Sequence, residues 1–371
     1  MTISTLISHE WIAPTGGSEN VFYEMLQVVP DAVAVTLWND DLQRFPTVHE
    51  TWLAHTPLRR HKAMALPFMS ATWKARDLTG VDRVVVSSHA FGHHLASKAA
   101  QMNKAAYAYI HSPARYLWAP TLDTRGGGSA TRHLRELLTR YDRAQVNTNV
   151  RYAANSNYIA QRIADAWDVE ADVIYPPVSL GPRTGTLSDA DQTLLEKLPS
   201  EFVLGASRLV SYKRLDAAIS VGEMLGMPVV LAGSGPDRER LQHLARKARV
   251  PVHFAGRVSD DVLWQLYDRA NLFVFVGIED FGIMPVEAVS CGTPVVVNET
   301  GGAAESVRLL HGGVSVDPRS QEALKDAAMT AMGLDMSYAV NHVNCFSSGA
   351  FHARLGAWLS DPGTRNASVE S

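Results

Sequence analysis

Short apolar runs alternate along this chain with longer stretches in which apolar residues return every third or fourth position. That alternation predicts parallel βα units. A strand covered on both faces reads as an unbroken apolar run, and its crossover helix reads as amphipathic. In the first half, strands are predicted at Thr2–Ser8, Val33–Leu37, Arg83–Ser88, Ala105–Ile110, Tyr152–Asn155 and Asp172–Tyr175. Helical periodicity lies between them at Gly17–Val28, His89–Met102 and Asn157–Trp167, and the glycine-rich Thr121–Ser129 reads as a loop.

The rhythm stops at Pro176 and resumes after about Ser200. Pro176, Pro177, Gly181, Pro182, Gly185 and Pro199 make this stretch a predicted linker. Strands then follow at Phe202–Ala206, Pro228–Ala232, Val252–Ala255, Leu272–Val276, Pro294–Asn298 and Gly313–Val316. Helices are predicted at Leu215–Leu225, Asp237–Ala248, Asp260–Ala270, Pro285–Cys291, Ala303–Leu310 and Gln321–Met332.

Two runs of one pattern in 371 residues predict two domains. Each is an α/β, doubly wound, Rossmann-like sheet, with residues 1–180 in the first and 181–344 in the second. The last helix, Ser347–Leu359, comes after the second sheet is complete, so the segment 345–371 is expected to pack back onto the first domain. Ligands bind beyond the carboxyl ends of the strands in this architecture, which places a cleft between two such domains facing each other.

Composition adds limits. Hydrophobic residues at 46% and charged residues at 19% describe a globular chain. A net charge of -4 gives no general attraction to nucleic acid. Cys291 and Cys345 form no CxxC pattern and read as reduced, buried thiols of a cytoplasmic protein. In that compartment the sequons at Asn298 and Asn366 carry no meaning. The first residues lack a basic and then apolar leader, and no run approaches the ~20 apolar residues of a membrane span. The expectation is a soluble chain, at most peripheral on a membrane. Arg59-Arg60-His61-Lys62 and Trp73-Lys74-Ala75-Arg76 are either an exposed helical face or a contact for anionic lipid or a charged acceptor.

Four segments carry candidate chemistry. Pro14-Thr15-Gly16-Gly17-Ser18-Glu19 joins the first strand to the first helix. Its glycines allow close backbone approach, and Thr15 or Ser18 would cap a helix whose N-terminus suits a phosphate. An ordinary glycine-rich turn is the plainer alternative. His111-Ser112-Pro113-Ala114-Arg115-Tyr116-Leu117-Trp118 follows a strand, with His111 able to bind a hydroxyl or phosphate and Arg115 an anion. Arg208 follows a strand and Lys213 stands near a helix start, a pair of cations suited to a diphosphate; a solvated basic turn is the alternative. Glu279 and Glu287 lie eight positions apart around Phe281-Gly282-Ile283-Met284-Pro285. A loop carboxylate can bind sugar hydroxyls, free amides can bind phosphate, and a carboxylate in the first helical turn can accept both ribose hydroxyls. Asp189-Ala190-Asp191 is a DxD triplet, but it falls in the linker and reads as a solvated helix start, not a metal site.

Together these residues resemble the retaining glycosyltransferases of family 4, whose fold is called GT-B. The resemblance runs over nearly the whole chain. It includes the Gly16-Gly17-Ser18-Glu19 turn, Asn155-Ser156-Asn157, Tyr175-Pro176-Pro177-Val178, Ser207-Arg208-Leu209 with Lys213-Arg214, and Ala232-Gly233-Ser234-Gly235-Pro236. It continues through Phe254-Ala255-Gly256-Arg257-Val258, Glu279 to Glu287, Gly292-Thr293-Pro294 and Gly301-Gly302. The resemblance implies that Arg208 and Lys213 hold the donor diphosphate and that Glu279 contacts the transferred sugar. Amides of Phe281, Gly282, Ile283 and Met284 lie near it, Glu287 holds the ribose, and the backbone at Arg257 and Val258 holds the base. Gly16 and Gly17 approach the phosphates, and His111 contacts the donor sugar. Arg115 and Tyr116 fall to the acceptor, within first-domain loops 38–80 and 112–130. No metal or other cofactor is expected.

His111 to Trp118 and Glu279-Asp280-Phe281-Gly282 are similar to the mannosyltransferases of polysaccharide assembly, which implies GDP-mannose as donor. Asp280 stands where the wider family more often has glycine, and Ala114 where that subgroup has a bulkier residue, which leaves another sugar or acceptor open. The implied reaction retains anomeric configuration, with the leaving diphosphate stabilised by Arg208, Lys213 and helix amides. The acceptor would be a glycan, a lipid-linked sugar or a natural product. A UDP-sugar-dependent transferase, a nucleotide-sugar 2-epimerase and a non-catalytic nucleotide-sugar-binding subunit are the rival readings. A nicotinamide dehydrogenase lacks its GxGxxG here.

Overall fold

Seven parallel strands form one sheet and six form another in the computed structural model, which describes residues 4–14, 16–119, 129–181, 185 and 187–361. Thr2, Thr15, Pro182, residues 121–128 of the expected loop and residues 362–371 lie outside the described residues. The chain divides into two units, Met1–Pro177 with Ser348–Ser371, and Val178–Ser347.

The strands of the first unit are β1 (Thr5–His9), β2 (Val33–Thr36), β3 (His49–Glu50), β4 (Arg83–Ser88), β5 (Ala105–Ile110), β6 (Arg151–Ala154) and β7 (Asp172–Val173). Its sheet has the order β3-β2-β1-β4-β5-β6-β7. Its helices are α1 (Gly17–Val28), α2 (Lys62–Ala75), α3 (His93–Gln101), α4 (Arg115–Trp118), α5 (Ser129–Ala144) and α6 (Asn157–Trp167). Buried side chains cover both faces of the sheet, with Trp38, Trp73 and Leu95 on one side and Phe22, Met25 and Tyr109 on the other. Helix α6 starts where Ser156 Oγ accepts the amide of Ile159 at 3.2 Å and stops at left-handed Asp168.

The second unit holds β8 (Val203–Ala206), β9 (Val229–Ala232), β10 (Val252–Gly256), β11 (Leu272–Phe275), β12 (Val295–Asn298) and β13 (Gly313–Val316) in the order β10-β9-β8-β11-β12-β13. Its helices are α7 (Asp189–Glu196), α8 (Asp216–Leu225), α9 (Arg238–Ala245), α10 (Asp260–Arg269), α11 (Ile283–Ser290), α12 (Gly302–Leu310), α13 (Gln321–Met332) and α14 (Ser337–His342). The chain then returns to the first unit as α15 (Ser348–Ser360). There Phe351, Leu355, Trp358 and Leu359 complete the cluster around Phe22, and His352 Nε2 meets Glu24 Oε2 at 2.6 Å. Among the described residues no helix is long and apolar enough to cross a membrane.

The structure departs from the sequence reading in particular places. Strand β3 and helices α4, α5 and α14 were not expected; α2 was read only as an exposed helical face with no bounds, and the helix start read at Asp189 is that of α7. Pro67 interrupts the helical signal of α2, and α5 has as many charged residues as apolar ones, six of each. In the stretch read as linker, Ser188 and Asp191 form a reciprocal capping box that starts α7 at Asp189. Helix α3 begins at His93, not His89, because residues 89–92 wrap the buried Glu10 carboxylate, which takes the amides of His89 (2.9 Å), Ala90 (3.1 Å) and Gly92 (2.5 Å).

Candidate functional site

Strand order reverses between β8 and β11 in the second sheet, and β-sheets of this kind bind ligands outside the carboxyl ends of strands at that point. Two loops leave it. The loop after β8 runs through Arg208 to a 3-10 turn at Ser211–Lys213, and the loop after β11 carries Glu279 to Gly282. The loops meet in an ion pair between Lys213 Nζ and Glu279 Oε1. Lys213 Nζ also lies 5.3 Å from the ring centre of Tyr212 and 5.8 Å from that of Phe275. Arg208 is exposed, and its Nη2 donates to Tyr212 Oη at 2.7 Å.

The Glu279 loop is fixed by its neighbours. Gly282 caps α11 with φ at +87°, a conformation that L side chains rarely adopt. Gly302 donates its amide to Glu279 O at 2.8 Å, and a Cβ there would run into the Asp280 carbonyl and lie 2.6 Å from Phe281 Cα. Phe281 is buried against Phe346 with ring centres 5.5 Å apart. Helix α11 starts at Ile283, two residues before the expected Pro285, so Pro285 sits within the first turn, where its missing N–H costs no intrahelical bond. Glu287 therefore opens the second turn, and Tyr267 Oη donates to its Oε2 at 3.2 Å. Burial, followed by the charge of Glu287, raises the Tyr267 phenol well above its ordinary value, so it stays a donor. Arg257 is exposed directly after β10, and Val258 is half-buried beside it. Gly256 O accepts the amide of Gly233 at 2.7 Å, which ties this loop to the one after β9.

The first sheet reverses between β1 and β4, and a histidine cluster lies there. His9 ends β1, Ser87 lies at the end of β4, and His111 follows β5. Ser87 Oγ bridges His9 Nδ1 (2.9 Å) and His111 Nε2 (2.8 Å). The His111 backbone is held too, its amide by Ser88 O at 2.8 Å and its carbonyl by Asn155 Nδ2 at 3.1 Å. Burial and then the neighbouring His89 lower His9 to about 4, while burial and then His9 hold His111 well below its usual value. Both rings are therefore neutral near pH 7.

The Gly16-Gly17 turn differs from expectation in its cap. Gly16 is the N-cap of α1 with no side-chain cap, and Ser18 Oγ donates instead to Glu19 Oε2 at 2.7 Å. Glu19 Oε1 accepts the amide of Ala13 at 3.1 Å, so this buried carboxylate closes the turn. Burial alone would raise Glu19, but His9 and the Ser18 bond lower it overall. Arg115 opens α4 and is half-buried. Tyr116 packs on the first core, half-buried, with its hydroxyl buried and without a partner among the described residues.

Two groups place three metal-type ligand atoms within 4.8 Å of one another: His9, Glu10 and His89, and His93, His94 and Asp142. In the first, Glu10 is already engaged by amides and by Ser88 Oγ at 2.9 Å. In the second, Asp142 Oδ2 accepts the indole N–H groups of Trp118 (2.8 Å) and Trp167 (3.0 Å), while Oδ1 accepts from His94 Nε2 (3.1 Å). His9 Nε2 and His89 Nδ1 in the first group, and both ring nitrogens of His93 in the second, are buried without a hydrogen-bond partner among the described residues. Asp189 and Asp191 lie in and beside the α7 capping box.

Residues 189–338 match the family model described as "Glycosyl transferases group 1". That stretch lies within the second unit. An uncharacterized glycosyltransferase of Methanocaldococcus jannaschii is 33% identical over 131 residues, covering 33% of this chain and 34% of its own length. A GDP-mannose-dependent alpha-(1-6)-phosphatidylinositol monomannoside mannosyltransferase of Mycobacterium tuberculosis is 29% identical over 191 residues, covering 46% of this chain and 50% of its own. The chain thus spans half or less of the length of these curated relatives. In fold, the chain is similar to the Anabaena protein HepE in complex with UDP, with TM-score 0.69, 17% identity and coverage of 96% and 100% of the two chains. That likeness shows the GT-B fold, two parallel Rossmann-like sheets with their helices.

Of the residues singled out from sequence, Arg208, Lys213, Glu279 and Phe281 to Glu287 fall inside the matched stretch at its switch point, and Arg257 and Val258 lie two strands away, after β10. His9, Ser87 and His89 were not singled out. His9 and Ser87 lie at strand ends far apart in sequence. The signal that would find them is strand order, which makes β1 and β4 neighbours.

Proposed function

We propose that this chain is a retaining glycosyltransferase that moves a hexose from a nucleoside-diphosphate sugar to an acceptor hydroxyl. The observation that carries this is the Lys213–Glu279 pair at the switch point of the group 1 domain, with Arg208 beside it. A departing diphosphate needs positive charge, and Lys213, Arg208 and the amides that open α11 supply it. Glu279 then binds hydroxyls of the sugar, Glu287 the ribose, and the backbone at Arg257 and Val258 the base. From the first unit, His111 contacts the sugar, Gly16 and Gly17 approach the phosphates, and Arg115 meets the acceptor. The carbon–oxygen bond to the diphosphate breaks, the acceptor oxygen bonds on the same face, and the leaving phosphate takes the acceptor proton. No metal or cofactor takes part in this scheme.

GDP-mannose is the favoured donor, since two of the relatives are named as mannosyltransferases, one of them GDP-mannose-dependent. A UDP-sugar is the second reading, favoured by the HepE structures with UDP and UDP-glucose. The acceptor is a glycan, a lipid-linked sugar or a natural product, and the site of action is the cytoplasm or the membrane face that borders it.

Thermal unfolding against a panel of nucleotides tests the donor. A ligand at 100 times its dissociation constant adds about 2.7 kcal/mol. A shift with GDP and GDP-mannose alone supports mannosyl transfer, and a shift with UDP compounds alone moves the donor to a UDP-sugar. No shift with any nucleotide overturns the donor site. Release of an epimerised free sugar without acceptor would replace transfer by 2-epimerisation.

A further inference from the structure

Between Glu50 and Asp77 the chain has no acidic residue but five basic ones, Arg59, Arg60, Lys62, Lys74 and Arg76. The whole chain has net charge -4, so the remainder carries -4 - 5 = -9. This basic island surrounds an unusual helix. Helix α2 buries Ala65, Met69, Ser70, Thr72 and Trp73 against the first unit. Its opposite stripe should be polar on a soluble surface. It is instead Met64, Pro67, Phe68 and Ala71, with Lys74 and Ala75 in the last turn, all exposed.

Large apolar side chains cluster there. Met64 is 65% exposed, Phe68 45% and Trp52 52%, and the rings of Trp52 and Phe68 meet edge to face at 6.3 Å. Helix α5 extends the patch. Tyr141 Oη lies 2.8 Å from Ser70 Oγ of α2, and Lys74 Nζ lies 5.6 Å from the Tyr141 ring centre. One turn earlier Leu137 is 63% exposed, and Arg140 and Arg143 stand exposed on the same helix, with Glu136 the acid among them.

We propose that the exposed α2 stripe, with Trp52 and the Leu137–Tyr141 turn of α5, docks this protein onto an anionic lipid surface. Charge complementarity selects that occupant. The cations are not all spent inside the protein: Arg59 pairs with Asp40 at 2.6 Å and Lys62 lies 4.4 Å from the Trp11 ring centre, while Arg60 and Lys74 flank the apolar stripe in solvent. Methionine and aromatic side chains enter the acyl boundary while lysine and arginine stay among the headgroups. A negatively charged membrane offers both layers at once, and the acidic remainder of the chain is repelled from it, which orients the molecule with this face down. The inference stands apart from the donor chemistry, since none of these residues is assigned to it.

Co-sedimentation of the full chain with vesicles tests it. The protein should bind mixed phosphatidylglycerol–phosphatidylcholine vesicles, not pure phosphatidylcholine, and raised salt should release it. Replacing both Arg60 and Lys74 by glutamine should weaken binding about 30-fold, taking about 1 kcal/mol for each cation near the surface. M64S/F68S should abolish binding while the melting temperature changes little, because Met64 is 65% exposed and Phe68 45%. Variants that bind as well as the parent overturn the proposal, as does a parent chain that ignores anionic vesicles. Self-association through the patch without vesicle binding overturns it in favour of a protein interface.

Discussion

Lys213 Nζ and Glu279 Oε1 are paired across the two loops that leave the switch point of the second sheet. In the proposed scheme this pair must open, since the ammonium is to hold a diphosphate and the carboxylate a sugar. Each group therefore keeps the other in place before the donor arrives. Lys213→Ala should lower turnover by about 10²–10³-fold, the scale of losing one fixed stabiliser of developing charge, with the fold intact. It should also weaken nucleoside diphosphate binding more than the K213A/E279Q double variant does, because the single change leaves a carboxylate facing phosphate. Titration calorimetry on both variants decides this, and additive effects would exclude the coupling.

Gly302→Ala should impair the same site without touching a ligand. The added methyl collides with the Asp280 carbonyl and must push the Glu279–Phe281 loop away from α12. A loss of about 1–3 kcal/mol in stability is expected, together with weaker donor binding. An alanine variant with unchanged melting temperature and donor affinity would show that this contact has slack.

The first unit should be sensitive to acid. His9 and His94 fall to about 4 from 6.5, each through burial first and a neighbouring histidine second, and burial also holds His111 well below its ordinary value. Between pH 6.5 and 4 the unfolded chain binds more protons than the folded one at these sites, so stability falls as pH falls. Each group contributes a slope of at most about 1.4 kcal/mol per pH unit. Burial opposes ionisation of Glu10 and Asp142, yet their histidine partners hold both below the ordinary carboxylate range. Their contribution is also lost on acidification, lower in pH. Calorimetric scans should show the melting temperature dropping steadily from pH 6.5 to 4, and a flat profile there would mean that the histidines are not held neutral.

Ser87→Ala should separate geometry from stability. It removes the hydroxyl between His9 Nδ1 and His111 Nε2 and leaves two buried ring nitrogens without it, at a cost of about 1–3 kcal/mol. The nitrogen resonances of the His111 ring should shift toward a changed tautomer balance, and turnover should fall about tenfold if that ring meets the sugar. Ser87→Thr keeps the hydroxyl and should restore both. Unmoved resonances in the alanine variant would deny the bridge any role in setting the ring.

Much of the fold was legible because βα units write themselves into the chain twice. The ranges of β4, β5 and β13 and of α1, α6 and α13 are those read from apolar runs and period. What escaped lacked that signal. Strand β3 is two residues long, α2 shows an apolar stripe to solvent as well as to the core, and six of the 16 residues of α5 are charged. Arg208, Lys213 and Glu279 stood out because they follow strong strands, and the structure brings the loops of Lys213 and Glu279 together. The His9–Ser87–His111 bridge did not stand out, since its members are separated by 78 and 24 positions and meet only through strand order.

The first unit begins at the amino end but finishes with α15, whose Phe351, Leu355 and Trp358 seal the cluster around Phe22 and Met25. The second unit is therefore, in topological terms, an insertion within the first. A ribosome making this chain delivers every residue of Val178–Ser347 before the helix that closes the earlier unit. The inserted unit can fold while the older one still exposes its unfinished apolar face, which reverses the usual order in which the amino-terminal domain matures first.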